Sequence, residues 1–303
     1  MDSPHGAAVT TEDFGLKGPR GWAFRGVDIE AGPGSLVAIE GPSGSGRTCL
    51  LLALTGRMRP TEGRAEIGGL RLPRKMAAVR RLSALGQVAG VNDLDPAFTV
   101  AEHLRERALL QHRYAGSFRA LLRPRAERSA AARDRIDAAL DAAGLDLAEL
   151  PKGERTSVRN LEQLEELRLS LALALIGRPR LIAVDDTDLK RSDAERARAW
   201  ALLRSIADAG TTVLAVCSQA PEGAITVRTE TTTTPAHARK PATARKHLTA
   251  PAQARKASTD RATAGKSADG GTTTASTGAQ DAAADETTTE KGPADAFAET
   301  RRA

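Results

Sequence analysis

Short apolar runs alternate with stretches of helical periodicity along the first 228 residues of the chain. The apolar runs at residues 35–39, 181–184 and 211–216 have the length of buried strands. Leucines at positions 161, 164, 167, 171 and 175 recur every three or four residues and predict one apolar helix face. Gly177 and Pro179 follow this face and predict the end of the helix.

The remaining periodic stretches predict further helices at residues 48–56, 100–110, 133–143 and 192–208. Residues 64–72 contain Gly68 and Gly69 and predict a β-hairpin. Because strands alternate with helices, the sequence predicts an α/β fold with a mostly parallel sheet and an antiparallel hairpin part. A helical insertion is expected at about residues 101–160, within a first domain of residues 1–228.

The composition changes near residue 228. Thr and Ala make up about half of residues 229–303, and large apolar side chains there amount to Leu248 and Phe297. Such a segment buries too little apolar surface to offset its ordering entropy, so we expect a disordered tail. Residues 239–266 carry eight Lys and Arg against Asp260, whereas the rest of the tail is acidic. The basic block predicts contact with an anionic membrane or with nucleic acid, and the alternative is a solvated tail whose halves attract each other.

Composition also excludes several classes of function. The formal net charge is +6, but aromatic residues make up only 3%, which argues against stacking platforms for nucleic acid. Cys49 and Cys217 lie far apart, so a disulfide framework and a cysteine-built zinc site are not expected. No secretory signal and no apolar stretch near 20 residues is visible, so we expect a soluble chain.

A glycine-rich loop carries the clearest chemistry. Residues 41–48 follow a predicted strand, open a predicted helix and match the P-loop pattern, with Arg47 in the lysine position. Glycines let the backbone turn its N–H groups toward phosphate, and the helix start favours an anion. The candidate nucleotide-binding residues of this loop are Gly41, Ser43, Gly44, Ser45, Gly46, Arg47 and Thr48. The Thr48 hydroxyl is also a candidate Mg²⁺ ligand.

Two carboxylates follow the predicted strand at 181–184. Asp185 stands where a P-loop enzyme holds the Mg²⁺ shell, and Asp186 where the attacking water is oriented or deprotonated. A turn at the end of the strand is the alternative for this pair.

Residues 12–228 resemble the ATP-binding subunit of an ABC transporter, in a diverged form similar to an actinobacterial branch. The resemblance rests on the P-loop and on residues 54–63, 67–70, 98–104, 178–186 and 210–216. It implies a P-loop fold of ABC type, ATP and Mg²⁺ as ligands, a dimer with itself or with another such subunit, and a permease in a separate chain. It places the chain at the cytoplasmic face of the membrane, with the helical part and the Q-loop against the permease.

Several positions depart from the family pattern. The signature sequence falls on residues 161–165, where Glu162 and Glu165 would bring negative charge near a phosphate. The alternative for this segment is an ordinary helix face packed by leucines. The switch histidine falls on Ser218, and the catalytic glutamate falls on Asp186, one methylene shorter. Both Asp186 and Ser218 are the candidate catalytic residues, and their identity predicts slow hydrolysis.

Two further positions keep alternatives open. The Q-loop residue, a metal ligand in the family, is Gln87 when counted from Arg80 and Gly90 when counted back from Thr99. Trp22 either stacks on adenine or packs on the sheet. The alternative to a transporter ATPase is a non-hydrolytic regulatory or scaffold subunit whose basic tail contacts membrane or DNA.

Overall fold

The computed structural model describes residues 5–114, 125–188 and 191–230, whose strands form two sheets. The first sheet is antiparallel and contains the strands β1 (Val9–Gly18), β2 (Gly21–Ala31), β4 (Glu62–Ile67) and β5 (Leu70–Leu72). These strands lie in the order β2-β1-β4-β5.

The second sheet is parallel and positions the P-loop. Its strands are β3 (Leu36–Glu40), β6 (Ser83–Leu85), β7 (Leu181–Val184), β8 (Thr212–Cys217) and β9 (Ile225–Arg228). They lie in the order β6-β7-β8-β3-β9, and neighbouring strands are parallel. The carboxyl ends of these strands therefore meet at one edge, where ligands of open α/β sheets bind.

The helices of the described residues lie between the strands along the chain. They are α1 (Arg47–Leu54), α2 (Met76–Leu82), α3 (Val100–Tyr114), α4 (Arg125–Ala143), α5 (Gln163–Leu175) and α6 (Asp193–Asp208), with short 3₁₀ turns at Gly153–Arg155 and Val158–Asn160. Helix α6 begins with a capping box, because Ser192 Oγ accepts from the Glu195 N–H and the Glu195 carboxylate accepts from the Ser192 N–H. In the described part of the chain, no helix is long and apolar enough to cross a membrane.

The parallel sheet separates two apolar clusters, and alternate residues of each strand face opposite clusters. In β3, Leu36 and Ala38 pack with helices α4, α5 and α6, whereas Val37 and Ile39 pack with α1 and the antiparallel sheet. Both faces of β3 are therefore buried, which explains its continuous apolar run.

The predicted fold class is confirmed, with small shifts in the elements. Helices α3 and α4 are longer than the predicted segments, and Leu161 precedes α5 while packing against the core. The predicted tail lies outside the described residues except for Thr229 and Glu230, and the domain boundaries stay predictions.

Candidate functional site

The P-loop joins the end of β3 to the start of α1, and close contacts explain its glycines. Gly46 has φ +81°, and a Cβ atom on residue 46 would lie 1.9 Å from the carbonyl oxygen of Ala23. A Cβ atom on Gly41 would lie 2.5 Å from Thr229 Oγ1. Both positions therefore require glycine, since any side chain would displace neighbouring backbone or a buried threonine. Ser43 and Gly44 are exposed at the rim of the loop.

Thr48 and Asp185 meet at the mouth of this loop. The Thr48 hydroxyl donates to Asp185 Oδ2 at 2.5 Å, and the Asp185 side chain is nearly buried at the end of β7. The other carboxylate oxygen, Oδ1, accepts from the Asp186 N–H at 2.9 Å. Thr48 and Asp185 are 137 positions apart in the sequence, and the fold brings their side-chain oxygens together beside the first turn of α1. The first N–H groups of a helix have no partner within it, so this turn can receive an anion.

Arg47 extends away from the loop toward strand β8. Its Nη1 donates to the carbonyl oxygen of Cys217 at 2.6 Å. This contact places the guanidinium between the P-loop and the loop after β8, at a distance where its charge acts on Asp186. The Arg47 guanidinium, bonded to the Cys217 carbonyl, therefore does not take the position that the P-loop lysine takes beside the phosphates.

Asp186 directly follows Asp185, and its backbone has a left-handed conformation with φ +48°. Burial raises the pKa of its carboxyl above the ordinary value, and the neighbouring Asp185 charge raises it further. Arg47 and Arg191 oppose this shift, whereas Asp188 adds to it. A carboxylate with a raised pKa is a better proton acceptor than an exposed one, which suits the orientation of a water.

Gln87 and Gly90 occupy different places after β6. The backbone carbonyl of Gln87 accepts from the Asp185 N–H at 2.8 Å, so Gln87 lies beside the carboxylate pair. Its Oε1 accepts from Arg191 Nη2 at 3.2 Å. Gly90 is an exposed turn residue with φ +73°, and its N–H donates to the Asp93 carboxylate. The backbone of Gln87, rather than Gly90, therefore lies beside Asp185, and the Gln87 side chain turns to Arg191. Metal ligation by Gln87 stays a prediction.

Ser218 follows strand β8, and its backbone is held by an acid. The Ser218 N–H donates to Asp188 Oδ2 at 2.7 Å, and the Gln219 N–H approaches the same oxygen at 3.4 Å. The end of β8 is therefore tied to the segment that follows Asp186.

Trp22 lies on β2, next to the residue whose carbonyl touches the P-loop. Its ring is approached by Lys17 Nζ at 5.3 Å and by the Arg25 guanidinium at 4.8 Å from the centroid. Both distances are typical of cation–π contacts. Stacking on adenine stays a prediction for this side chain.

Residues 161–165, at the signature position, span the start of helix α5, and a carboxylate there accepts from a backbone N–H at the helix start. Glu162 is the N-cap residue, and the Glu165 carboxylate accepts from the Glu162 N–H at 2.8 Å. Glu166 adds a third acid in the same turn. A helix start that already holds a carboxylate has less attraction for a phosphate.

Three residues of this region were not predicted from the sequence: Asp188, Arg191 and Thr229. Asp188 is the third acid of a short acidic run, which is a weak signal. Thr229 is buried, and its Oγ1 lies 2.7 Å from the Oγ of Ser45, 184 positions away. Arg191 reaches Gln87 over 104 positions. Nothing in the local sequence pattern indicates either of these long-range contacts.

The sequence is similar to a known protein family and to individual members of it. Residues 24–188, more than half of the chain, match the family model of the ABC transporter. The daunorubicin resistance ATP-binding protein DrrA3 of Streptomyces coeruleorubidus is 32% identical over 193 residues, covering 63% of this chain and 54% of that protein. The cytochrome c biogenesis ATP-binding export protein CcmA of Cupriavidus necator is 33% identical over 178 residues, covering 58% and 68%.

Solved structures agree on the fold. The dimeric structure of MJ0796, a bacterial ABC transporter cassette, has a TM-score of 0.56 at 21% identity, covering 74% of this chain and 94% of that one. The first relatives are longer than the matched region, and the chain spans about half of their length. With the P-loop, the carboxylate pair and the matched segment in agreement, the chain belongs to the ATP-binding proteins of the ABC transporter family.

Proposed function

We propose that the chain is the ATP-binding subunit of a transporter, and that it binds Mg-ATP at the P-loop. The observation that carries this proposal is the contact of Thr48 with Asp185 at 2.5 Å, beside the first turn of α1. The loop and the helix start receive the phosphates, while the hydroxyl and the carboxylate face the metal ion that accompanies them.

The donor set suits Mg²⁺ that arrives with nucleotide. Mg²⁺ prefers oxygen ligands and is commonly held by one or two carboxylates together with substrate phosphates. Thr48 and Asp185 offer such oxygens. Among the described residues, no group of three or more His, Cys, Asp or Glu could hold a metal ion. Nucleotide phosphates and water would complete the shell of the ion, and the Gln87 amide oxygen, which accepts from Arg191, is a further candidate ligand.

We expect hydrolysis to be slow and binding to be retained. Asp186 is shorter than glutamate, and Ser218 lacks the charge of an imidazolium. Loss of a general base or of a charge-stabilising donor costs about 10²–10⁴-fold in rate. Binding depends mainly on backbone N–H groups of the loop, so these changes affect it less.

Nucleotide-driven dimerisation and a membrane permease complete the proposed role. A groove of 390 Å³ lies between the segment after β6 and helices α3 and α5, with Arg57, Asn92 and Arg107 among its lining residues. It joins the two parts that the resemblance places against a permease. CcmA is named an ATP-binding export protein and DrrA3 an ATP-binding resistance protein, and the first name supports a role in transport. The permease would hold the chain at the cytoplasmic face of the membrane.

One observation favours a non-hydrolytic regulatory subunit as the second candidate. The Glu165 carboxylate accepts from the backbone N–H of Glu162 at the start of α5. A nucleotide site shared between two subunits, with this helix start on one side, would therefore lack a phosphate-binding signature. Such a subunit would bind ATP and dimerise weakly, or would depend on a partner for turnover.

A variant pair at Thr48 tests the proposed site. Thr48→Val removes the hydroxyl and is expected to weaken Mg-ATP binding by about 10–100-fold, whereas Thr48→Ser keeps it and retains affinity. Equilibrium dialysis of labelled Mg-ATP against the full chain measures the difference. Equal affinity for the two variants would refute the assignment, and no binding by the unaltered chain would refute the function.

A further inference from the structure

Arg191 lies between strand β7 and helix α6, one residue before the Ser192 cap. Its guanidinium donates from Nη1 to the carbonyl oxygens of Asp186 at 3.1 Å and Thr187 at 2.6 Å. From Nη2 it donates to Gln87 Oε1 at 3.2 Å. One side chain therefore contacts both the segment that follows Asp185 and the residue whose carbonyl accepts from the Asp185 N–H.

These segments come from different parts of the chain. Gln87 follows β6, whereas Asp186 and Thr187 follow β7, the neighbouring strand. Two backbone bonds of 2.8 Å join the segments, from the Gly86 N–H to the Ala183 carbonyl and from the Asp185 N–H to the Gln87 carbonyl. The guanidinium adds a connection through the Gln87 side chain, whose orientation these backbone bonds leave open.

The chemistry of arginine suits this bridge. Its planar fork directs several N–H groups at once, whereas a lysine ammonium is a point donor on a flexible stem. The Arg191 Nε is buried and has no hydrogen-bond partner among the described residues. Burying an unpaired donor is unfavourable. The bonds from Nη1 and Nη2 offset this cost and hold the side chain in place.

We propose that Arg191 is a positioning residue that fixes Gln87 and Asp186 relative to each other. The bonds to the carbonyls of residues 186 and 187 support the left-handed backbone of Asp186, and hence the direction of its carboxylate. The bond to Oε1 sets the orientation of the Gln87 amide. This inference rests on the proposed function, because the roles of Asp186 and Gln87 toward water and metal belong to it.

Three variants of the full chain test the proposal. Arg191→Ala removes the bridge, and Arg191→Lys keeps the charge without the fork. Arg196→Ala is the control, because Arg196 lies in the first turns of the same helix and pairs with the exposed Asp193 at 2.9 Å. Two readouts are used: amide hydrogen exchange of residues 86–93 in nucleotide-free protein, and the separate determination of the Mg-ATP dissociation constant and the turnover rate.

The expected result is an increase of about 10-fold in exchange for Arg191→Ala, a smaller increase for Arg191→Lys, and none for Arg196→Ala. Turnover falls by about 10-fold in Arg191→Ala while Mg-ATP affinity stays within about 3-fold, because the P-loop backbone is unchanged. Unchanged exchange of residues 86–93 in Arg191→Ala would overturn the proposal. Exchange is read without nucleotide, so failure of the unaltered chain to bind ATP would overturn only the proposed function.

Discussion

Replacing Thr229 with valine removes a hydroxyl from beneath the P-loop while nearly keeping the shape of the side chain. Thr229 is 4% exposed and Ser45 is 1% exposed, and their hydroxyl oxygens lie 2.7 Å apart. Among the described residues, the Ser45 hydroxyl has no other hydrogen-bond partner. The substitution therefore leaves a buried hydroxyl of the P-loop unpaired.

The expected cost follows from this geometry. A buried polar group without a partner destabilises a fold by about 1–3 kcal/mol. For a domain of about 200 residues, each kcal/mol lowers the melting temperature by about 2–4 °C. Thr229→Val should thus melt about 2–12 °C below the unaltered protein. Mg-ATP should raise its melting temperature by less, because ligand stabilisation depends on affinity for the ordered loop.

Two controls isolate the hydroxyl. Thr229→Ser retains the hydrogen bond and should melt close to the unaltered protein, apart from the lost methyl group. Thr226→Val removes a hydroxyl from an exposed position on β9 and should change little. Thermal unfolding with and without Mg-ATP measures all three. If Thr229→Val and Thr229→Ser melt together, the buried pair does not support the P-loop and the reasoning is refuted.

Two other variants, one single and one double, give expected outcomes at the catalytic and signature positions. The pKa of Asp186 is raised, so the folded state binds its proton more tightly than the unfolded state and stability falls as pH rises through that range. Asp186→Asn should therefore melt above the unaltered protein at pH 7, and the difference should vanish below about pH 3.9; a difference independent of pH would contradict this. The double variant Glu162→Ser, Glu165→Gln keeps a capping box but removes two carboxylates from the start of α5. Light scattering should then detect the Mg-ATP dimer at about 10-fold lower protein concentration, and an unchanged concentration would argue against repulsion at this helix.

The sequence predicted the parallel sheet better than the antiparallel one. Strands β3, β7 and β8 are buried on both faces and appear as continuous apolar runs. Strand β1 pairs with β2 through several register shifts, and Asp13 has a positive φ there. These irregularities break the period-two alternation that identifies a half-buried strand. The sequence of the hairpin formed by β1 and β2 therefore shows no clear strand pattern.

The candidate site was predictable where function requires residue types in a fixed order, as in the P-loop and the carboxylates after β7. The contacts of Arg191 and Thr229 were not predictable, because they depend on long-range packing of single side chains. The direction of Arg47 was equally hidden, since its bond to the Cys217 carbonyl appears only when β3 and β8 are neighbours.

The most direct test of the account is the fate of one equivalent of labelled Mg-ATP mixed with a slight excess of the full chain. Bound and free nucleotide are separated, and the bound species is identified over an hour. We predict that the protein retains ATP and converts it slowly to ADP, with retention lost in Asp185→Asn. Failure of the unaltered chain to retain any nucleotide would contradict the assignment of the P-loop as an ATP site.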